Sequence, residues 1–156
     1  MDTRDLIGRY RLVSWHRADG TAGFGERPEG HLHYAPDGRV SVMVARSDRH
    51  PLGLDYEAMA RTRIALRRPW TLLYRPRVLR AVRRLADAAA GFAGYEAAYR
   101  VEGNTVFHTV GVGLIPDRSG NQETRTLTID GDRVTMETPE GDQLVWERLS
   151  HSAARE

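Results

Sequence analysis

A chain of 156 residues is long enough to bury the core of one domain, and its lack of cysteine excludes a disulfide framework or a thiolate metal site. The net charge of +2 is unevenly distributed, because residues 61–84 hold nine arginines and no acidic residue, whereas the remaining 14 arginines and 21 acidic residues sum to −7. This local excess argues against a nucleic-acid-binding protein, whose basic residues more often spread over a whole binding face.

The first residues, MDTRDLIGRY, predict a cytoplasmic protein. They are charged and lack the apolar stretch of a signal peptide. No segment of the chain approaches the roughly 18 consecutive apolar residues that are needed to span a bilayer. We therefore expect a soluble protein of the cytoplasm.

Alternating polar and apolar residues predict eight β-strands. These segments are rich in β-branched and aromatic residues and lie at about 7–17, 30–35, 39–46, 97–102, 105–115, 122–130, 133–138 and 143–149. Short links with Gly, Asn or Asp, such as Pro36-Asp37-Gly38, predict tight hairpins between them. Hairpins make neighbouring strands antiparallel, and closing the sheet removes exposed edges. We therefore predict an all-β fold, an eight-stranded antiparallel up-and-down barrel, which can hold one small ligand.

A helical insertion interrupts the strands between the third and the fourth. Residues 55–62 and roughly 77–93 are predicted to be helical, since apolar residues recur at helical spacing in the second segment while Arg80, Arg83 and Arg84 lie on its other side. The chain is thus predicted to be a single domain, 1–156, with a helical lid insertion at about 55–93.

The arginine-rich segment 61–84 is compatible with several roles. A lid uses both faces of the second helix, with its apolar stripe over the barrel opening and its arginines toward solvent, rim acids or an anionic substrate. Trp70 and Tyr74 would then extend the ligand-binding surface. A nucleic-acid contact, a membrane-surface helix and a homodimer interface are the alternatives. We favour the lid and expect neither nucleic acid nor membrane as a partner, while a homodimer stays open.

Histidines are the best candidates for chemistry. His108 is in phase with Val106 and Val110 on the more apolar face of its strand, where an imidazole can act as a general acid or base. His31 and His33 share one face of their strand, and His16 is in phase with Tyr10, so all three are candidate ligand-binding residues if those faces point inward. Converging histidines can bind a divalent metal, but no metal is predicted.

Aromatic residues and one arginine complete the candidate site. Tyr34, Tyr99 and Trp146 would line a cavity with flat apolar surface and a polar edge. Tyr99 is assigned to catalysis beside His108, and Arg125 joins the ligand-binding set. No nucleotide-binding loop, nucleophile elbow or zinc-protease motif is present, so we predict no cofactor.

Five segments, taken in order, resemble the lipocalin-like domain family of bacteria and fungi: LIGRYRLVSW (6–15), GHLHYAPDGRVSV (30–42), YEAAYRVEGNTVFH (95–108), GDRVTM (131–136) and LVWERL (144–149). The resemblance covers nearly all of the chain outside the insertion. It implies that Arg148 packs across the ring of Tyr10 and closes one end of the barrel, a cation–π contact that contributes about 1–2 kcal/mol.

The resemblance also implies a function. Lipocalin-like barrels include binding proteins as well as cyclases and isomerases of secondary metabolism. We expect the cavity to bind a small, largely apolar metabolite, with the chain acting as a cofactor-independent cyclase or isomerase. A non-catalytic carrier for a hydrophobic molecule is the alternative.

Overall fold

Eight antiparallel strands in chain order form a closed barrel in the computed structural model, which describes residues 3–53, 57 and 76–149. The strands are β1 (Gly8–His16), β2 (Glu29–Tyr34), β3 (Arg39–Ala45), β4 (Phe92–Glu102), β5 (Thr105–Gly113), β6 (Gln122–Asp130), β7 (Arg133–Glu137) and β8 (Gln143–Arg148). Helix α1 (Pro76–Ala90) lies between β3 and β4 in the sequence. The predicted fold class is therefore confirmed.

Period-two alternation decides which residues of each strand face the interior. In β2, Leu32 and Tyr34 are buried, whereas His31 and His33 are exposed. A strand with one buried face has a strongly specified register, since a slip of one residue would turn its apolar side chains toward water. The same alternation in the other strands gives one continuous core.

The two ends of the barrel differ in their connections. Tight turns join β2 to β3, β4 to β5 and β6 to β7 at what we call the hairpin end. Gly103 and Gly131 adopt φ of +60° and +57° in two of these turns, a conformation that glycine takes without steric cost. Longer connections (17–28, 114–121 and 138–142) leave β1, β5 and β7 at the opposite end, which we call the loop end.

Arg148 closes the hairpin end as the family resemblance implied. Its guanidinium lies 5.0 Å from the centre of the Tyr10 ring, and its Nη1 donates a hydrogen bond to the Ile7 carbonyl at 2.7 Å. A Cβ at Gly8 would lie only 2.9 Å from Nη1, so glycine at that position makes room for the guanidinium. The contact joins the start of β1 to the end of β8.

The predicted fourth strand, 97–102, is too short. In the structure β4 begins at Phe92, one residue after the Gly91 N–H bonds to the Asp87 carbonyl at the end of α1. The sequence FAGYEAA carries three alanines and a glycine, which weaken a β-strand signal. The correction adds Tyr95 to the barrel.

Residues 48–92 form a compact unit of their own, separate from the unit made of 1–47 and 93–156. In this unit Ala81 is buried in α1, while Arg80, Arg83 and Arg84 are exposed, as the helical pattern predicts. Most of the predicted helix 55–62 lies outside the described residues. The lid, like the single-domain arrangement, therefore stays a prediction. No helix in the described part of the chain is both long and apolar enough to cross a membrane.

Candidate functional site

A cavity of about 430 Å³ occupies the loop-end half of the barrel. Its apolar lining comes from inward-facing residues of four strands: Leu32, Val42, Val44, Met136, Leu144 and Trp146. Exposed Glu140, in the connection between β7 and β8, also lines the cavity, so the cavity reaches the protein surface there. Ligand pockets in proteins are commonly apolar with a few polar groups, and this one has that composition.

Three polar rings form a hydrogen-bonded chain at the cavity. His108 is 1% exposed, and its Nε2 lies 2.7 Å from the Tyr34 hydroxyl while its Nδ1 lies 2.9 Å from the Tyr95 hydroxyl. Tyr34 is fully buried behind the histidine, whereas Tyr95 and His108 line the cavity. We call these three residues the Tyr–His–Tyr triad.

The imidazole in the triad is neutral. Burial, with a smaller contribution from the Arg125 charge, lowers the pKa of His108 to about 3, although Glu123 acts in the opposite direction. A neutral imidazole donates one hydrogen bond and accepts one, so one tyrosine gives its proton to the ring and the other receives the ring proton. Exchange between the two tautomers would make the Tyr95 hydroxyl either a donor or an acceptor toward the cavity.

Net transfer of a proton through the triad is unfavourable at neutral pH. An excess proton would make an imidazolium, which the pKa of about 3 for His108 disfavours. Loss of a proton would leave a tyrosinate, and burial raises the pKa of both Tyr34 and Tyr95. The triad therefore suits hydrogen bonding to a bound molecule better than net acid–base chemistry.

A second polar group, the arginine–glutamate cluster, lies on β6 and the turn before it. The Glu123 carboxylate accepts hydrogen bonds from Arg118 Nη2 at 2.6 Å and from Arg125 Nη2 at 3.2 Å. Burial would raise the pKa of this carboxyl, but the hydrogen bonds and charges of the two arginines together lower it below its ordinary value. Glu123 is thus ionised, and the three side chains together carry one positive charge.

Trp15 forms the side of the cavity near the connection between β1 and β2. Its indole N–H donates to an Asp142 carboxylate oxygen at 3.0 Å, and its ring centre lies 4.8 Å from that of Phe24. A Cβ at Gly23 would lie 2.3 Å from the indole, so only glycine allows this packing. The ring is held from three sides, which makes it a rigid cavity surface.

Four predicted site residues meet at the cavity or directly behind it. His108, Arg125 and Trp146 line the cavity, and Tyr34 contacts His108 from the core. For Tyr34, the structure decides the inward face of its strand, which the sequence had left open. Their roles in binding or catalysis stay predictions.

Three predicted histidines are exposed and do not line the cavity. His31 and His33 are on the exposed outer face, because the alternation of β2 buries Leu32 and Tyr34 instead. His16 is also exposed, since a register irregularity between Leu12 and Ser14 breaks its phase with Tyr10 and turns Trp15 inward.

Tyr99 lies at the hairpin end and donates to the Ala35 carbonyl at 3.0 Å. Trp70 and Tyr74 lie outside the described residues. Among the residues that the structure describes, no group of three or more His, Asp or Glu side chains is placed to hold a metal ion.

Sequence reasoning missed Trp15, Tyr95, Arg118 and Glu123. Tyr95 has a usable signal, because Tyr95, Ala97 and Tyr99 alternate and extend the fourth strand toward its true start. Glu123 was detectable as a charged residue in phase with Leu127 on the same strand. Nothing in a single sequence shows that a turn residue such as Arg118 pairs with Glu123.

The family described as lipocalin-like domain matches this chain over residues 7–154. Among solved structures, a lipocalin-like protein from Bacteroides uniformis is 11% identical, with 93% of this chain and 99% of that chain covered and a TM-score of 0.48. A protein from Burkholderia xenovorans is 12% identical, with 95% and 86% covered and a TM-score of 0.43. A search of curated protein sequences finds no significant match.

Proposed function

The chain belongs to the lipocalin-like domain family, and from that membership we propose that it binds a small, largely apolar molecule in the loop-end cavity of its barrel. The observation that carries the proposal is the cavity itself, about 430 Å³ of space within the loop-end half of the barrel. Protein interiors rarely leave voids of that size unfilled, so the inward side chains of the loop-end half are short for the space they enclose.

The composition of the lining supports an apolar guest with one polar end. Leu32, Val44 and Leu144 offer aliphatic surface, and removing apolar area from water contributes roughly 25 cal/mol per Å². Polar groups lie beside them in the triad and the arginine–glutamate cluster. A guest that is apolar throughout would leave those donors without partners, which disfavours it.

Catalysis is a second candidate, and the Tyr95 hydroxyl is the observation that favours it. Backed by His108, this hydroxyl can donate a hydrogen bond to a substrate oxygen on which negative charge develops. An enclosed wall would hold a flexible substrate in a reactive conformation, which can remove up to about 7–11 kcal/mol of barrier. A cofactor-independent cyclase or isomerase of secondary metabolism would work in this way, without net proton transfer through His108.

Filling the cavity tests the binding proposal. Val42→Trp places an indole in the cavity, whereas Val13→Trp, on the exposed outer face of β1, is the matched control. Native mass spectrometry of the protein purified from its own host should show a bound small molecule in the parent and in Val13→Trp, but not in Val42→Trp. Equal retention of the molecule by both variants would place binding elsewhere.

Assays with the molecule recovered in that way distinguish an enzyme from a carrier. Incubating the protein with it, and with a chemically related precursor from the same extract, should give turnover that Tyr95→Phe reduces by about a hundredfold while affinity changes little. A parallel fall in both, or an absence of turnover, supports the carrier. Tyr99→Phe is the control, because Tyr99 does not line the cavity.

A further inference from the structure

Arg125 carries hydrogen-bonding capacity that its surroundings do not use. Its side chain is 15% exposed, so most of it is shielded from bulk water. An arginine has five N–H groups, and two of them are engaged here, by the Thr124 carbonyl at 2.7 Å and by Glu123 at 3.2 Å. Three N–H groups of this cavity-lining residue therefore have no acceptor among the described residues.

The charge around Arg125 is also incompletely balanced. Glu123 is shared with Arg118, so one carboxylate faces two guanidinium groups. Tyr95 and the neutral His108 add no charge. Of the other acidic groups at the cavity, Asp142 is engaged by Trp15 and by the Ala18 N–H, and Glu140 is exposed at the surface. A partly buried positive charge without a full partner is unfavourable, and an anion that binds beside it removes that cost.

From these donors we infer that the ligand is an amphipathic carboxylic acid, whose carboxylate is bound by Arg125 and whose apolar body lies along the aliphatic lining. A carboxylate brings acceptors only, which matches a site that presents donors from Arg125 and Tyr95. Guanidinium–carboxylate hydrogen bonds are charge-assisted and stronger than neutral ones. The inference rests on the proposed function, because it names the chemical class of the molecule held in the same cavity.

Three probes of equal chain length test the inference: octanoate, 1-octanol and octylamine. Binding of each probe to the unaltered chain and to its variants is followed at pH 7.5 by isothermal titration calorimetry. Octanoate should bind at least about tenfold more tightly than 1-octanol, and octylamine more weakly than either.

Variants of Arg125 make the test specific. Arg125→Met should weaken octanoate by at least about tenfold and leave 1-octanol within about twofold, while Arg125→Lys should recover part of the loss. Arg11→Met is the matched control, because Arg11 is paired with one glutamate on the outside of the barrel. If Arg125→Met fails to fold, the inference is tested by the preference of the parent among the three probes and by the affinity of Arg125→Lys for octanoate.

The outcomes separate the two proposals. Equal binding of octanoate and 1-octanol, or tighter binding of octylamine, would overturn the carboxylate inference and leave the apolar cavity as a binding site. An equal loss of octanoate and 1-octanol in Arg125→Met would also overturn it. Absence of binding by all three, with no co-purified molecule, would remove both the inference and the proposed function.

Discussion

The two halves of the barrel are built from the same eight strands but are filled differently. At the hairpin end, Tyr10, Tyr34 and Val106 are buried with at most 1% of their surface exposed, and Arg148 closes the end. At the loop end, the interior holds a cavity of about 430 Å³, and charged or hydrogen-bonding groups face it. The difference shows that close packing and open space are separated along the axis of one barrel.

The cause of this difference lies in the side chains at inward positions. Along β6, the inward residue near the hairpin end is Leu127, whereas Arg125 and Glu123 follow toward the loop end. Along β4, Tyr99 at the hairpin end donates to a backbone carbonyl, but Tyr95 at the loop end bonds to His108 at the cavity. Polar groups are therefore concentrated at the end of the barrel that holds the cavity.

A matched pair of leucines gives the largest expected difference between the halves. Leu6→Ala removes a residue with no exposed surface at the hairpin end, and it should lower the free energy of unfolding by about 2–5 kcal/mol. Leu144→Ala enlarges an existing cavity and should cost about 1 kcal/mol or less, since fewer packing contacts are lost. Urea unfolding of both variants measures the difference. Equal losses would show that the two halves are packed alike.

The pH dependence of stability gives the second largest effect, at the boundary of the halves. His108 has a pKa of about 3 when folded and an ordinary value of 6.5, so the unfolded chain binds the proton first as pH falls. Above about pH 6.5, His108 therefore makes the free energy of unfolding independent of pH. As the pH falls from 6.5 to 3, the buried neutral imidazole lowers that free energy by up to about 1.4 kcal/mol per pH unit. Below pH 3 this contribution no longer changes.

His108→Gln, which keeps a donor and an acceptor but does not titrate, isolates that contribution. Between pH 7 and 5 the parent should lose about 2 kcal/mol more of its unfolding free energy than the variant does. Urea unfolding at pH 7, 6 and 5 gives the dependence of the unfolding free energy on pH for the parent and for the variant. Parallel slopes would mean that His108 is not buried in its neutral form.

Sequence reasoning predicted the filled half better than the cavity half. Turn glycines such as Gly38 and the alternation of polar and apolar residues are local signals, and they led to the barrel and its strand order. The closure by Arg148 came from the family resemblance. The candidate site depends on non-local facts. A bulge in β1 turns Trp15 inward and leaves His16 exposed. The triad joins residues 34, 95 and 108 from three strands. Periodicity assigns a face, but it does not show which side chains meet.

Two tryptophans at the cavity test whether burial or hydrogen bonding contributes more to the stability of the fold. Trp15→Phe breaks a hydrogen bond to the Asp142 carboxylate, while Trp146→Phe breaks none, although Trp146 is the more buried residue. Both variants lose similar volume. We expect Trp15→Phe to be the more destabilising by about 1–2 kcal/mol, a ranking opposite to that of burial. Thermal unfolding of both variants, without ligand, measures it, and the ranking by burial would contradict the assignment of Trp146 as an orphan donor.

Two tyrosine hydroxyls give the smallest expected difference and compare the halves most directly. The Tyr10 hydroxyl donates to the Leu6 carbonyl at 2.8 Å, and Leu6 is fully buried, so Tyr10→Phe leaves an acceptor that water does not reach. The loss in free energy of unfolding should be about 1 kcal/mol.

Tyr95→Phe frees Nδ1 of His108, which lines the cavity, and a water molecule there can replace the hydroxyl at small cost. The stability of Tyr95→Phe should therefore fall by about 0.5 kcal/mol or less. Urea unfolding with repeated measurements can separate these values, and an equal loss in both variants would show that water in the cavity has no access to His108.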